Sequence, residues 1–532
     1  MRLKWNSRTL DCYCSRDNQP KSGSRIDRPG ISVTLHKPIS VLLATEGTYP
    51  FYAGGVSTWC HRLTHGLPEI DFTLLAVVTN PYPQIKHELA ANVQSVIKVP
   101  QWGLLQPAEY SNHQPASMVL RNLWDTTPKA LAARFKPLFE RFLALIFSPR
   151  CDMEELGQVL LGLQAYFQRY DYLKSMNSMV AWNILQHAVH AAWECRPANT
   201  ENPTLAEVKQ AYRLLFHLLM VLHFPVAQED ITHSSAASFC GIPCVLAKLT
   251  HGTPYLLTEH GVYLREQYLN LRRQVKSHFV RWFLYRLVES VVGLNYHFAD
   301  QVSPVCTFNA RWEKHLGVPE KRVKVIFNGV DPERFQRCEG ENTGRPLIST
   351  VGLIYPLKGQ LDLIDAAALL RPKFPDVEVR LYGSPSDAGY FDKCKQKVAE
   401  LQLENNVTFA GSTKEPWKVY SSADIMAFPS ISEGFPYVVL EAMLCGDAIV
   451  ATDVGGVAEA LGNCGLLVPS KVPSAIADAI SYLLANKEER ERLGRNAKAR
   501  ALELFTEKQF LSSYQNTYRE LVSRQLPQIY QA

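Results

Sequence analysis

Two glutamates eight residues apart, Glu433 and Glu441, lie in the segment of this 532-residue sequence that most clearly indicates chemistry. The segment follows an apolar run that ends at Pro429, and Gly434 and Pro436 precede a second apolar run with helical spacing. Proline suits the first turn of a helix, because its missing N–H is not needed there. The free N–H groups of such a helix start attract a phosphate or another anion.

Glu441 falls inside the predicted helix, which is otherwise apolar. An unpartnered carboxylate in apolar surroundings is costly, so we expect this side chain to accept hydrogen bonds from donors such as ligand hydroxyls. The alternative for either glutamate is structural. Glu441 would then face solvent, and Glu433 would favour the helix dipole.

Three shorter segments each follow an apolar run in a similar way. Gly54 and Gly55 precede a helical pattern, where paired glycines let the backbone approach a phosphate closely. His260 follows a predicted strand and offers a hydrogen bond or a proton near neutral pH. Lys358 lies at a loop-to-helix junction, where its charge can neutralise a diphosphate. Each feature alone is more often an ordinary turn, loop histidine or surface lysine.

Together these segments supply anion sites from both halves of the chain, a histidine, and a carboxylate suited to sugar hydroxyls. That combination predicts a nucleotide-sugar site. No Asp-x-Asp sequence occurs anywhere, so the metal clamp of many sugar transferases has no evident ligands, and we expect no metal ion and no other cofactor. The charge of the leaving group would then fall to lysine and backbone dipoles.

The elements that must position these residues alternate between strand and helix. Ile39–Ala44 and Val56–Leu67 begin the pattern, and Leu347–Gly352 and Leu361–Leu370 begin it again later in the chain. The fold class is therefore α/β, with two doubly wound domains. Such domains bind ligands in the crevice at the carboxyl ends of their strands.

The same patterns predict the domain boundaries. Residues 1–37 form a disordered basic tail, and 38–330 form the first domain with a helical insertion at about 111–225. Residues 331–505 form the second domain, and 506–532 form a final helix that packs back on the first.

Composition excludes several other classes of protein. The chain is 46% hydrophobic and 20% charged, which excludes disordered, collagenous and coiled-coil proteins. The net charge is +5, and Met1–Gly30 holds seven Lys or Arg and three Asp, so the rest of the chain is close to neutral. A neutral body argues against nucleic-acid binding. The twelve cysteines contain no C-x-x-C pair and are interpreted as reduced thiols.

The most apolar stretch, Leu214–Val226, is interrupted by two histidines and a proline and is too short to cross a membrane. Met1–Gly30 lacks the apolar core of a secretory signal. We therefore expect a cytoplasmic protein, with peripheral contact at the inner membrane.

Glu433 and Glu441 resemble the E-x7-E signature of retaining GT-B glycosyltransferases of family 4, and Asn328–Asp331 resembles the interdomain segment of that family. The match runs from about Ile39 to Leu521. Glu46–Ser57 and Thr258–Tyr263 are similar to the PelF-like branch, the cytosolic transferases of Pel exopolysaccharide loci. The resemblance implies a UDP-glucose donor, a saccharide acceptor, and membrane-bound polysaccharide synthase or export subunits as partners.

The resemblance also implies roles for individual residues. Glu433 and the backbone of 434–436 would hold the donor hexose, Glu441 the ribose, Lys358 the diphosphate, and His260 the sugar near C6. The expected catalytic residues are His260, Lys358 and Glu433, and the expected donor-binding residues are Gly54, Gly55, Gly434, Phe435, Pro436, Leu440 and Glu441.

Leu353 departs from the family pattern, which has an arginine at this position, immediately after the glycine of the second domain's first strand. Diphosphate stabilisation would then rest on Lys358 and backbone donors. The departure motivates an alternative hypothesis, a catalytically weak nucleotide-sugar-binding subunit of a polysaccharide synthase complex. A sugar-nucleotide epimerase on the same architecture is a more distant alternative.

Overall fold

The computed structural model describes residues 38–103, 106–111, 114–194, 201–340 and 344–529. The predicted tail at 1–37 lies outside the described residues. Two parallel sheets of six strands each organise these described residues, which confirms the predicted α/β class with two doubly wound domains.

The first sheet has the strand order β3-β2-β1-β4-β5-β6. Its strands are β1 (Ile39–Glu46), β2 (Ile70–Val78), β3 (Val93–Pro100), β4 (Ile231–Ser234), β5 (Tyr255–Glu259) and β6 (Gln301–Pro304). The order reverses between β1 and β4, which pair in parallel with Leu42 opposite Thr232. A reversal of this kind opens a crevice at the carboxyl ends of the strands.

The second sheet repeats the design in the order β12-β11-β10-β7-β8-β9. Its strands are β7 (Leu347–Val351), β8 (Glu378–Tyr382), β9 (Val407–Gly411), β10 (Ile425–Phe428), β11 (Ile449–Thr452) and β12 (Leu466–Val468). The reversal here lies between β7 and β10, which pair with Ile348 opposite Ile425. The loops that leave these two strands carry Lys358 and Glu433.

Helices of the first domain surround its sheet and fill the insertion between β3 and β4. They are α1 (Gly55–Gly66), α2 (Pro107–Tyr110), α3 (Ala116–Asp125), α4 (Pro128–Ala130), α5 (Lys136–Phe147), α6 (Met153–Phe167), α7 (Tyr172–Met176), α8 (Met179–Glu194), α9 (Leu205–Leu218), α10 (Ile242–His251), α11 (Tyr263–Gln274), α12 (His278–Phe298) and α13 (Thr307–His315). Side chains of Asp152, Asp171 and Thr204 accept N–H groups in the first turns of α6, α7 and α9, which fixes where these helices begin.

The second domain and the C-terminal segment supply the other α-helices of the described residues. They are α14 (Gln360–Leu370), α15 (Ala388–Glu400), α16 (Pro416–Ser422), α17 (Tyr437–Cys445), α18 (Val457–Leu461), α19 (Pro473–Ala485), α20 (Lys487–Leu504) and α21 (Glu507–Ile529). Among the described helices, none has the length and apolar composition needed to cross a membrane. The nine cysteines of the described ranges are free.

A hydrophobic cluster shared by both domains lies below the crevice. It contains Trp59 from α1, Leu440 from α17 and Tyr514 from α21, all fully buried. The α21 helix also contacts the first sheet, since the hydroxyl of Tyr518 lies 2.7 Å from Nδ1 of His233. This shared cluster fixes the two helices that begin at the crevice, α1 and α17, relative to one another.

Candidate active site

A cleft of about 410 Å³ lies between the carboxyl edges of the two sheets. Loops from both domains line it, and most of the residues predicted from the sequence to form the site are among them. The lining residues are Gly54, Gly55, Val56, Thr58, His260, Asn328, Gly352, Leu353, Lys358, Glu433, Gly434, Phe435, Pro436, Tyr437, Val438 and Glu441.

The loop between β10 and α17 brings Glu433 to the cleft. Its carboxylate Oε1 accepts hydrogen bonds from Lys358 Nζ at 2.6 Å and from the hydroxyl of Ser430 at 2.6 Å. Lys358 comes from the loop after β7, so the two neighbouring strands at the reversal point deliver an ion pair. The side chains of Lys358 and Glu433 are 30% and 12% exposed, respectively, which leaves the pair accessible from the cleft.

Gly434 packs against the loop that carries His260 in the opposite domain. A Cβ atom at Gly434 would lie 1.9 Å from the carbonyl oxygen of His260, so any larger residue would push the domains apart. The helix α17 begins at Tyr437, so Pro436 is its N-cap with extended backbone rather than a residue of the first turn as predicted. The shift is one residue and leaves the helix start facing the cleft.

Glu441 lies one helical turn further along α17. Its Oε2 accepts a hydrogen bond of 2.8 Å from the hydroxyl of Tyr420, so a protein donor occupies part of the carboxylate that was expected to bind a ligand. Burial raises the pKa of Glu441, and the positive charges of Arg62 and Arg334 oppose that increase. The remaining oxygen is a potential acceptor for a ligand hydroxyl.

His260 faces the cleft from the first domain. Its ring contacts Trp59 edge-on with centroids 4.9 Å apart, and its Nε2 atom is buried without a hydrogen-bond partner. Burial lowers the pKa of His260 to about 3, so the imidazole is neutral near pH 7. A neutral imidazole can offer one hydrogen bond to a substrate, but it cannot supply positive charge to a phosphate.

Gly54 and Gly55 stand where α1 begins. A Cβ atom added at either glycine would meet no atom within 4 Å, so the space in front of this helix start is open. The protein itself therefore does not require glycine here for packing. The open space leaves room for a ligand against the first backbone N–H groups of α1.

Two of the predicted donor-binding residues lie mainly in the core. Phe435 lines the cleft but packs between Phe327 and Phe505, with ring centroids 5.2 and 5.3 Å away, and is 4% exposed. The side chain of Leu440 is fully buried in the shared hydrophobic cluster and is not among the lining residues. Its position in α17 points it away from the cleft and into the packing that supports the helix.

The structure adds cleft residues that the sequence analysis did not assign. Asn328 donates from Nδ2 to the carbonyl of Phe435 at 2.8 Å, and its Oδ1 is buried without a partner. The hydroxyl of Tyr437 is likewise buried and unpartnered. Tyr437 directly follows Pro436, and this position in the sequence could have identified it as a site residue. Nothing in the sequence identifies Tyr420, because its contact with Glu441 forms only when the chain folds.

Arg62 contacts several of the segments that pack beneath the cleft. Its Nη1 donates to the carbonyl oxygen of Gly329 at 2.6 Å and lies 3.7 Å from a carboxylate oxygen of Glu507. The guanidinium carbon lies 5.1 Å from the centroid of the Tyr437 ring. Arg62 thus joins α1, the interdomain segment, α21 and α17.

Leu353 lies at the cleft with 48% of its surface exposed. Its backbone carbonyl accepts a hydrogen bond of 2.9 Å from Gln360, while its side chain remains largely unpacked.

Within the described ranges, no group of three or more His, Cys, Asp or Glu side chains is placed to hold a metal ion. Metal independence remains a prediction.

Comparison with known proteins finds a match to a described family in each half of the chain. Residues 39–321 match the family described as Domain of unknown function (DUF3492), and residues 331–500 match Glycosyl transferases group 1. A D-inositol 3-phosphate glycosyltransferase of Corynebacterium urealyticum is 34% identical over 227 residues, which cover 39% of this chain and 52% of that protein. An MMP alpha-(1->4)-mannosyltransferase of Mycolicibacterium hassiacum is 28% identical over 307 residues, covering 56% of this chain and 71% of that protein. The chain thus spans about half the length of the first relative.

Solved structures share the architecture. Anabaena HepE in complex with UDP has a TM-score of 0.54 at 16% identity, covering 91% of this chain and 100% of that chain. Sucrose-phosphate synthase of Thermosynechococcus elongatus has a TM-score of 0.58 at 17% identity, with the same coverage. These likenesses confirm the predicted GT-B fold.

Proposed function

Because the chain belongs to the family described as Domain of unknown function (DUF3492) and carries a group 1 glycosyl transferase domain, we propose that it transfers a hexose from a nucleoside diphosphate sugar to a saccharide acceptor. The donor is UDP-glucose, and the acceptor is a growing exopolysaccharide. The reaction retains the anomeric configuration and needs no metal ion. In this proposal the protein belongs to the PelF-like branch and works beside inner-membrane synthase or export subunits.

The observation that carries this proposal is the unfilled hydrogen-bonding capacity of the cleft. Buried atoms of His260, Asn328 and Tyr437 have no partner, and all three residues line the cleft. Buried polar groups normally find partners, so these atoms favour a ligand rich in hydroxyl and carbonyl groups. The carboxylates of Glu433 and Glu441 add acceptors of the kind that sugar hydroxyls need.

The open helix starts support a diphosphate between the two domains. The first N–H groups of α1, at Gly54 and Gly55, and of α17, after Pro436, face one cleft with Lys358. The structures of HepE solved with UDP and with UDP-glucose support the choice of donor.

In the proposed reaction, the bond between C1 of the hexose and the diphosphate oxygen breaks, and its electron pair leaves with the nucleotide. The acceptor hydroxyl oxygen forms the new bond to C1 on the same face, and its proton passes to the leaving diphosphate. Lys358 and the backbone donors stabilise the charge that develops on that group. Glu433 and His260 orient the hexose.

The test is turnover of UDP-glucose by the purified full chain with oligosaccharide acceptors, with and without a chelator. NMR of the product should show an α-linked hexose. The turnover rate should be the same with and without the chelator. A β-linked product, or a rate that requires a divalent cation, would overturn the corresponding part of the proposal. A thermal-shift comparison of UDP-, GDP- and ADP-sugars identifies the base, because a bound ligand raises stability by about 2.7 kcal/mol at a hundredfold excess over Kd.

The pairing of Lys358 with Glu433 favours one second candidate, a nucleotide-sugar-binding subunit with weak catalysis. In that case the lysine stays with the carboxylate and contributes little to the leaving group. UDP-glucose binding without hydrolysis or transfer, at any acceptor concentration, would favour this candidate.

A further inference from the structure

The residues that line the cleft offer a diphosphate little free positive charge. Among its lining residues, Lys358 is the sole Lys or Arg, whereas Glu433 and Glu441 are both carboxylates. His260 is neutral near pH 7, since desolvation of its ring lowers its pKa to about 3. Lys358 is already paired with Glu433 at 2.6 Å. Arg62 and Arg334 act on Glu441 from outside this lining, so the one lining cation that a diphosphate would meet is a lysine already paired with a carboxylate.

The helix α11 brings two arginines from the first domain to the loops of the second. Nη1 of Arg265 donates to the hydroxyl of Ser432 at 3.3 Å, and Nη2 of Arg273 donates to the hydroxyl of Tyr355 at 3.1 Å. No residue of α11 is fully buried. The helix therefore lies at the surface and bridges both cleft loops of the opposite domain.

Arg265 is the arginine nearer to the charged pair along these loops. Its partner Ser432 directly precedes Glu433, the residue that holds Lys358, and α11 itself begins three residues after His260. Its present bond is to a neutral hydroxyl, which is a weaker partner than an anion. A phosphate entering the cleft would compete well for this guanidinium, because arginine binds phosphate oxygens with two parallel hydrogen bonds.

We propose that Arg265 is the second cation of the diphosphate site, supplied by the first domain across the cleft. This inference rests on the proposed function, because it takes a nucleoside diphosphate as the ligand. Arg265 and Lys358 together neutralise the negative charge of the diphosphate. Lys358 can then keep part of its ion pair with Glu433 while it binds the diphosphate. The site is then complete only when both domains contribute.

The test compares Arg265→Ala with Arg272→Ala, an exposed arginine on the same helix. Calorimetry measures the affinity of each variant for UDP and for uridine. Arg265→Ala should weaken UDP binding about tenfold to a hundredfold and leave uridine binding unchanged, because the lost partner is a phosphate. Arg272→Ala should stay within about twofold of the parent for both ligands.

A rescue variant separates lost charge from lost structure. Leu353 is 48% exposed at the same cleft, so an arginine there has room to reach the diphosphate. Adding Leu353→Arg to Arg265→Ala should recover at least tenfold in UDP affinity and in transfer rate. Equal losses of UDP and uridine affinity, an Arg265→Ala effect no larger than that of Arg272→Ala, or absent rescue would each overturn the proposal.

Failure of this inference and failure of the proposed function give different results. A parent protein that transfers hexose while Arg265→Ala behaves like Arg272→Ala overturns the Arg265 assignment alone. A parent that binds UDP without transfer overturns the transferase proposal, while the UDP-to-uridine comparison still decides the role of Arg265. A parent that binds no UDP overturns both.

Discussion

Lys358 Nζ lies 2.6 Å from Oε1 of Glu433, so two residues expected to serve different parts of a donor are bonded to each other. The hydroxyl of Ser430 shares the same carboxylate oxygen. The cation and the carboxylate therefore compensate one another in this structure. A bound donor must share or break this pair, which links diphosphate binding to the orientation of the sugar.

Glu433→Gln should separate diphosphate binding from the orientation of the sugar. UDP affinity should stay equal to that of the parent or rise, because Lys358 loses a competing carboxylate. Transfer should fall at least tenfold, since the hexose loses a charged acceptor for its hydroxyls. Calorimetry with UDP and with UDP-glucose, beside initial rates, tests this. Equal losses for the two ligands would contradict the contact between Glu433 and the sugar.

Lys358→Ala should come close to abolishing transfer. The variant removes a cation from the leaving group and leaves the charge of Glu433 facing the diphosphate. The double variant Lys358→Ala/Glu433→Gln should bind UDP more tightly than Lys358→Ala alone, because the repelling carboxylate is gone. If the effects of the two changes on the free energy of UDP binding simply add in this double-mutant cycle, Lys358 and Glu433 do not act together on the nucleotide.

Glu441→Ala should weaken UDP binding by about 1.5 to 3 kcal/mol, the typical value for a lost hydrogen bond to a charged group. Tyr420→Phe is the matched control, because it removes the 2.8 Å protein hydrogen bond and keeps the carboxylate. That variant should bind UDP almost as the parent does. Unchanged UDP affinity in Glu441→Ala would refute its assignment to the ribose.

Two histidines that stay neutral in the folded protein, His233 and His260, should make the fold sensitive to acid. Burial lowers the pKa of each to about 3, from an ordinary value of 6.5. Below pH 6.5 the unfolded chain takes up protons that the folded chain refuses, so the free energy of unfolding falls by about 1.4 kcal/mol per pH unit for each histidine.

His260→Ala should remove one of these two contributions and make the loss of stability between about pH 6.5 and 4.5 less steep. Urea denaturation at several pH values measures that slope. Turnover of the variant should be lower at every pH in this range by a similar factor, because a neutral imidazole does not titrate there. An unchanged slope would show that His260 is already protonated in the folded protein.

Arg62→Met should destabilise the protein by about 1.5 to 3 kcal/mol, because Gly329 loses a charged hydrogen-bond donor below the cleft. Glu507 and the face of Tyr437 lose the same partner. Arg141→Met is the control, since its ion pair with Glu155 lies on the surface of the insertion and should contribute little. Denaturation midpoints measure the loss of stability in each variant. Losses of similar size in the two variants would show that Arg62 contributes no more to stability than a surface ion pair.

The sequence by itself determined the elements and the order in which they occur. Apolar runs with strand or helical spacing depend on neighbouring residues, so Ile39–Glu46, Gly55–Gly66 and Tyr437–Cys445 agree closely with the predicted segments. The three-residue strand Leu466–Val468 was missed, because so short a run carries no period. The spacing of Glu433 and Glu441, after a strand and at a helix start, already indicated a ligand site.

Only the tertiary structure decided which groups meet. Lys358 and Glu433 are 75 residues apart in the chain, and they pair because β7 and β10 are neighbours in the sheet. Packing of the two domains across the cleft brings Arg265 to Ser432, 167 residues away. Burial of Leu440, exposure of Leu353 and the neutral state of His260 are set by packing from distant segments. Local patterns follow from the covalent chain, whereas partners, burial and charge state follow from contacts that form only when the chain folds.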